Sequence, residues 1–239
     1  MCKKITNIRI GKQQDMNFDK FVYSMVDNVE QLTEASEVKV KTILSAGPST
    51  MILNKDCKFL NIGTNFLGHG LRKLGYDCVD CDVDPGQLLA AGETFDYVIA
   101  ADEWLTLAET EDEQREKLAM LSKLCRVGFF TTIKDYKNMT YNQRTFYEPF
   151  QLKISNGDAI LLKHRQWNPH DRQQWTEVAH VIKDSELVHV SKQTKRTMYF
   201  KQLAKFASDV GSKNFQVEKK LMYKSLFSKN QDYIVYISF

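Results

Sequence analysis

One stretch, LNIGTNFLGHGLRKLGYDCVDCDVD from Leu60 to Asp84, constrains this chain more than any other. Two apolar runs of strand length flank a glycine-bounded segment of helical length. Parallel strands joined by a helical crossover build open α/β sheets, whose ligands lie beyond the carboxyl ends of the strands. The glycines raise the question of what such a site holds. Gly63 closes the first run and Gly68 follows, but Asn65 and Leu67 stand where a glycine-rich loop repeats its glycine. Gly63 allows a positive φ and puts no Cβ in front of a ligand. Asn65 tolerates the left-handed region that glycine favours; Leu67 does not.

The same alternation continues along the chain. Residues 57–63 read as a buried strand, 68–75 as a short helix closed by Gly75, and 76–84 as a second strand. A third strand is predicted at 94–104 and a fourth at 127–136. Between them Thr110 and Glu113 form a capping box. That helix runs to about Cys125 with Leu118, Leu121 and Leu124 inward. Apolar strands alternating with helices predict a parallel sheet covered on both faces.

The flanks differ. Residues 1–16 are polar and read as an arm with a short strand at Ile5–Ile10. From Asn17, the spacing of Phe18, Phe21, Val22, Met25, Val26, Val29 and Leu32 predicts a helix. A second helix, Ser36–Leu44, stops before Gly47-Pro48. These helices are expected to cover one side of a pocket. Beyond residue 150 come two hairpins, 150–167 around Asn156-Gly157 and 176–192, as antiparallel material inserted between parallel units. A helix at Met198–Val210 follows, with Tyr199, Leu203, Phe206 and Val210 on one face and Gly211 at its end. Two strands connected near Ser228–Asp232 close the chain, the last apolar enough to be central.

Composition narrows the partners. Hydrophobic residues are 43% of the 239, enough for a substantial core. A net charge of +3 argues against strong attraction to nucleic acid. Residues 151–239 hold 15 Lys and Arg against 8 Asp and Glu, whereas residues 1–150 hold 18 against 22. So modest an excess reads first as a solvated basic surface. Five scattered cysteines and no secretion signal lead us to expect reduced thiols in the cytoplasm. Without secretion, the glycosylation triplet at Asn138 carries no weight. No apolar run approaches the ~20 residues of a bilayer span, so no membrane partner is expected.

The element order resembles that of the class I S-adenosylmethionine-dependent methyltransferases over residues 55–239. FLNIGTNFLG stands where that family has its first strand and glycine loop, and VDCDVDP where it has the second strand with its ribose-holding acid. FDYVIAADEWLTL and RVGFFTTIKDY resemble the fourth and fifth strands around a helix, and YIVYISF the end of the antiparallel terminal hairpin. The insert looks like a substrate-side lid. The resemblance implies a Rossmann-like, doubly wound, mostly parallel sheet with an antiparallel C-terminal hairpin and an antiparallel β insert. Domain expectations are an N-terminal arm and helices at 1–54 and an α/β domain at 55–239, with the insert at about 145–195. Three departures stand out. The usual first-strand acid is Asn61, the glycine series shrinks to Gly63 and Gly68, and Pro85–Glu93 is too short for a full helix and strand.

The implied cofactor is S-adenosylmethionine, with contacts at Asn61, Gly63, Asn65, Phe66, Asp82, Val83, Ala101 and Asp102. Asp82 ends the second strand, where a carboxylate accepts from ribose hydroxyls; a shift of register passes that role to Asp84. Asp102 and Glu103 follow the third strand predicted here and are candidate general bases. Trp104, Lys134, Tyr147 and His164 are assigned to the acceptor, and Trp167 and Trp175 flank the insert. Methyl transfer needs little acid–base help, since alignment and desolvation supply most of the catalysis.

Competing motifs are weaker. Lys134-Asp135 alone does not make the Lys–Asp–Lys–Glu set of RNA ribose methyltransferases. His164, His180 and His189 lack the close spacing of zinc ligands, so no metal is expected. Cys78 and Cys81 sit at an odd offset in a strand, which sends their thiols to opposite faces. Asn168-Pro169-His170-Asp171 lies in the insert, away from the strand end where a base-methylating motif belongs. The resulting expectation is an enzyme that methylates a small-molecule acceptor. The alternatives are an inactive methyltransferase-like binding protein and, behind it, a nucleic-acid-modifying enzyme.

Overall fold

A computed structural model describes residues 29–51, 53–63, 65–81, 84–101, 104–134, 136, 144–147, 149–154, 157–220 and 232–239. The expected arm, the strand at Ile5–Ile10, the start of the first helix, Asn156 and most of the connection before Asp232 lie outside them.

Helix α1 spans Val29–Leu44. It is continuous across the break expected before Ser36, which is fully buried inside it. Then follow β1 (Lys58–Ile62), α2 (Asn65–Lys73), β2 (Asp77–Asp80), α3 (Pro85–Ala90) and β3 (Phe95–Ala100). A 3-10 turn, Trp104–Thr106, leads to α4 (Glu111–Leu124) and β4 (Cys125–Lys134). No turn separates the last two. The cap residue of α4, Cys125, is already extended, so the strand starts two residues earlier than expected.

The parallel strands run β2-β1-β3-β4, and the order continues with β11 (Asp232–Ser238) and β10 (Asn214–Lys220), both antiparallel pairings. As expected, the final strand is central: β11 lies between β4 and β10. Helices cover both faces. Val98 and Ala100 of β3 join Leu118, Leu121, Leu203 and Phe206 beneath α4 and α5 (Phe200–Asp209), while Tyr97 and Ile99 join Val40, Ile43, Leu67 and Leu71 beneath α1 and α2. Alternate residues of one strand thus feed two cores, as a doubly wound sheet requires. Cys78 packs in one core and Cys81 in the other. The four described cysteines are buried and form no disulfide.

Between β2 and β3 the one element among the described residues is the six-residue α3, followed by a tight turn at Gly92, whose φ is +74°. Among the described residues no strand lies outside β2. This is the compression foreseen from Pro85–Glu93.

The antiparallel material forms a second sheet: β5 (Arg144–Phe146), β6 (Phe150–Ile154), β7 (Gly157–Trp167), β8 (Gln174–Lys183) and β9 (Glu186–Arg196), ordered β5-β7-β8-β9 with β6 also on β7. Odd-numbered residues of β7 and β8 are the buried ones, including Leu161, Trp167, Trp175 and Val181. Trp167 and Trp175 pack with Tyr136 and Tyr199, which joins this face to the chain just beyond β4. No described helix is long and apolar enough to cross a membrane.

Candidate active site

Strand order reverses at β1. The chain passes from β1 to β2 on one side and then returns to place β3 on the other. In open α/β sheets the carboxyl ends flanking such a reversal form the ligand crevice. Gly63 follows β1 and Ala101 follows β3, so the two stand on either side of it. Gly63 has φ +124°, a conformation for which a side chain is poorly suited. A Cβ built on it would meet one described atom within 4 Å, the Ala101 carbonyl oxygen at 3.6 Å. That oxygen is oriented in turn by the Trp104 N–H, which donates to it at 3.2 Å. Among the described residues, the backbone is therefore bare at the crevice.

The second glycine serves a different purpose. In the parallel register of β1 and β2, Asn61 is the partner of Asp80. Asn61 Nδ2 donates to Asp80 Oδ1 at 2.7 Å, and Arg72 Nη2 donates to Oδ2 at 2.7 Å. The carboxylate lies against α2, where a Cβ on Gly68 would come within 1.8 Å of Oδ1. Gly68 is thus bare to admit Asp80. Asn61 itself is 1% exposed and joins two strands. An ionised carboxylate between an amide and a guanidinium is a strong, directional clamp.

Two expectations about the turn are corrected. Asn65 is the first residue of α2, so the helix starts three residues before the predicted Gly68. Leu67, which seemed incompatible with a glycine loop, lies on that helix and is fully buried under α1. It fills core space; neither residue is a turn glycine in disguise. Phe66 packs on the same core, with the Lys39 ammonium 5.9 Å from its ring centre. It lines the α1 side. Gly70 lets α1 approach: a Cβ there would stand 2.7 Å from the Ser36 carbonyl oxygen.

The second strand ends at Asp80 instead of continuing to Asp84. Asp84 caps α3, accepting from Gly86 N at 2.7 Å, so its carboxylate is engaged by the helix. Asp82, Val83, Asp102 and Glu103 lie outside the described residues.

On the acceptor side, Trp104 is half-buried against the core under α4. Lys134 ends β4 with its ammonium 5.5 Å from the Trp175 ring centre. Tyr147 follows β5 and donates its N–H to the Lys163 carbonyl at 2.9 Å. His164 does not join them. Strand alternation puts it on the face of the second sheet opposite Arg165 and Trp167, where it stacks on His180 at 5.9 Å and meets Phe146 at 5.4 Å. Burial, with His180 and Arg144 nearby, pulls its pKa down and favours the neutral ring. His189 pairs with Val181 and so belongs to the other face. Among the described residues no three metal-ligating side chains converge.

The face that meets β4 instead carries a charged cluster that the sequence reading missed. Glu177 is 6% exposed, with Lys163 Nζ at 2.6 Å and Lys195 Nζ at 3.3 Å from Oε1. Burial pushes its carboxyl up, but Lys163, Lys195 and Lys134 together outweigh this and hold it well below the usual range. The signal was present in TEVAHVI: Glu177 shares the period-two apolar face of Trp175, Ala179 and Val181.

No family model and no curated protein matches the sequence. Solved structures do. The CcbJ methyltransferase of Streptomyces caelestis superposes with a TM-score of 0.60 at 14% identity, over 86% of this chain and 89% of that one. The sugar N-methyltransferase KedS8 of Streptoalloteichus gives 0.58 at 11% identity, over 98% of both chains. CalS10, an amino pentose methyltransferase of Micromonospora echinaspora, gives 0.52 at 10%, over 95% and 99%. At such identities the likeness is one of architecture, and that architecture, with its reversal at β1 and its antiparallel terminal strands, is the class I S-adenosylmethionine-dependent methyltransferase fold.

Proposed function

We propose that this chain transfers a methyl group from S-adenosylmethionine to a small-molecule acceptor. The observation that carries the reading is the bare backbone between Gly63 and Ala101, with no described side-chain atom within 4 Å of the point where a Gly63 Cβ would stand. A scaffold that had abandoned its ligand is expected to fill that space with its own side chains. The residues fit the cofactor: Gly63 leaves room for a close backbone approach, and the amino end of α2 follows directly. Asp82, Val83 and Asp102, beside these strand ends in the chain, take the remaining contacts in this reading.

When bound, the sulfonium supplies a methyl carbon that is already electrophilic. The chain has to hold an acceptor in line with it and exclude water. Trp104, Lys134 and Tyr147 supply the acceptor wall, with the second sheet as its outer side, and Asp102 or Glu103 takes any proton the nucleophile releases. Small-molecule acceptors accord with the neighbours: KedS8 acts on sugars, and CalS10, an amino pentose enzyme, was solved with S-adenosylmethionine bound. Function resides in the site, so the reading rests on the crevice and not on fold likeness.

Calorimetry with S-adenosylmethionine and its homocysteine product is the test. Wild-type protein binds at least one, and Gly63→Val does not. Absence of binding at millimolar ligand overturns the proposal. One observation favours the rival, a scaffold without turnover: with no described strand outside β2, the side of the crevice expected to hold adenine is short. Tight binding combined with no methyl transfer to any acceptor in a broad small-molecule panel would select it.

A further inference from the structure

Lys117 has no part in the site as assigned above, yet it reaches that site from behind. It lies on α4 and extends under the corner that leads from β3 into that helix. Its ammonium donates to the Trp104 carbonyl at 3.2 Å and to the Leu107 carbonyl, and it sits 4.7 Å from the centre of the Trp104 ring. A lysine suits this place because three donors on a flexible stem can serve two carbonyls while the charge rests on an aromatic face.

The contacts lead to the crevice in a continuous series. Lys117 holds the Trp104 carbonyl, the Trp104 N–H holds the Ala101 carbonyl at 3.2 Å, and that oxygen faces Gly63. Leu105 and Thr106 are fully buried, so the corner has one well-packed position to be held in. The helix that carries Lys117 is itself fixed at both sides. Thr110 Oγ1 accepts from Glu113 N at 3.1 Å, and the Glu113 carboxylate accepts from Glu109 N at 2.7 Å. One turn away, buried Gln114 donates to the carbonyls of Arg196 and Thr197 at 3.1 and 3.3 Å, where the second sheet ends. Lys117 and Gln114 are three residues apart, so a single helical turn holds both the β3 corner and the exit of the insert.

We propose that Lys117 is a positioning residue for the cofactor crevice. By pinning the corner it fixes the Ala101 carbonyl opposite Gly63, and thereby the shape of the gap beyond the paired carboxyl ends of β1 and β3. The proposal rests on the methyltransferase reading of that gap. Burial lowers the Lys117 pKa to about 8 against the opposing pull of Glu113 on its own helix and Asp84 at the cap of α3, in keeping with a group enclosed on several sides.

The test compares Lys117→Met, which keeps the stem and removes the donors, with Leu124→Ala, a cavity at the far end of the same helix. Calorimetry is run well below the melting temperature of either. Lys117→Met is expected to bind S-adenosylmethionine about tenfold more weakly, as loss of two charge-assisted hydrogen bonds near the site warrants. Leu124→Ala is expected to lose melting temperature and bind as wild type. Unchanged affinity in Lys117→Met, or equal weakening in both variants, overturns the proposal. Amide hydrogen exchange separates it from the larger reading. Trp104, Leu107 and Ala108 should exchange faster in Lys117→Met and not in Leu124→Ala, and unchanged exchange there overturns the clamp whatever the cofactor result. Failure of the wild type to bind cofactor defeats the proposed function and the positioning role together; exchange then still decides whether Lys117 pins the corner.

Discussion

The carboxylate of Asp80 occupies the space that a side chain on Gly68 would need, with Oδ1 1.8 Å from the position of a Cβ. The pair joins the end of β2 to the first turns of α2, and Asn61 and Arg72 keep the carboxylate in place. Asp80 is short and held from two sides, so it has little freedom to retreat. Gly68→Ala should therefore cost about 2 kcal/mol, within the range for disrupting a partly buried charged hydrogen-bond network. Urea unfolding of Gly68→Ala, Asp80→Ala and the double variant checks this. The contact predicts strong non-additivity, with the double variant little worse than Asp80→Ala; additive losses would refute it.

Among the described residues Gly63 poses a conformational problem and no steric one, because the one neighbour within 4 Å of a Cβ there is at an ordinary 3.6 Å. At φ +124° the cost of any side chain is backbone strain, about 1–3 kcal/mol. Gly63→Ala and Gly63→Val should then destabilise to a similar degree, while only the larger side chain closes the crevice fully. Parallel melting and ligand-binding measurements separate the two effects.

Glu177 lies between Lys163 and Lys195 in the face that meets β4. Glu177→Gln leaves those cations enclosed without their carboxylate and should cost about 3 kcal/mol at neutral pH. Because the folded carboxyl lies below its ordinary value of 4.5, this stabilisation is complete above pH 4.5 and is lost as acid protonates the folded group. The difference between wild type and Glu177→Gln, read from urea midpoints, should shrink steadily as pH falls below 4.5.

Lys117 has the same sign of shift from the opposite charge type. Its folded value of about 8 lies below its ordinary 10.5, so the unfolded chain binds more protons between those values. Stability relative to Lys117→Met should rise from pH 8 to 10.5 and be lowest below pH 8. The neutral amine still has two N–H donors for the two carbonyls, so deprotonation does not release the corner. A falling difference over that range would show that the charge itself is what stabilises.

The turn joining β8 and β9 holds Asp184 and Ser185 at φ +51° and +65°. Two successive positive φ values are those of a type I′ hairpin turn, for which Asn-Gly is the preferred pair. Replacing Asp184-Ser185 with Asn-Gly should stabilise the protein by about 1 kcal/mol, visible as a higher urea midpoint with unchanged slope. A loss of stability would mean that these side chains make contacts beyond the turn.

Local pattern alone determined much of this protein. The alternation of apolar runs and helical spacings implied the parallel sheet. Thr110 and Glu113 marked the start of α4, and the apolar stretch at Tyr233–Ile237 announced a central last strand. That no described strand lies outside β2 could be read from the few residues between Pro85 and Glu93. These features depend on residues close in sequence, whose periodicity shows which side is buried. Tertiary structure alone decided the meaning of the glycines and the membership of the site. Gly68 faces Asp80 only because β1 and β2 pair in one register, Leu67 is a core residue only because α1 packs over α2, and His164 is turned away by its parity in β7. Lys117 acquires its partners through an approach of α4 to the β3 corner that no local spacing encodes. Periodicity tells each segment which side to bury; which distant atoms then meet is set by the packing of those buried sides against one another.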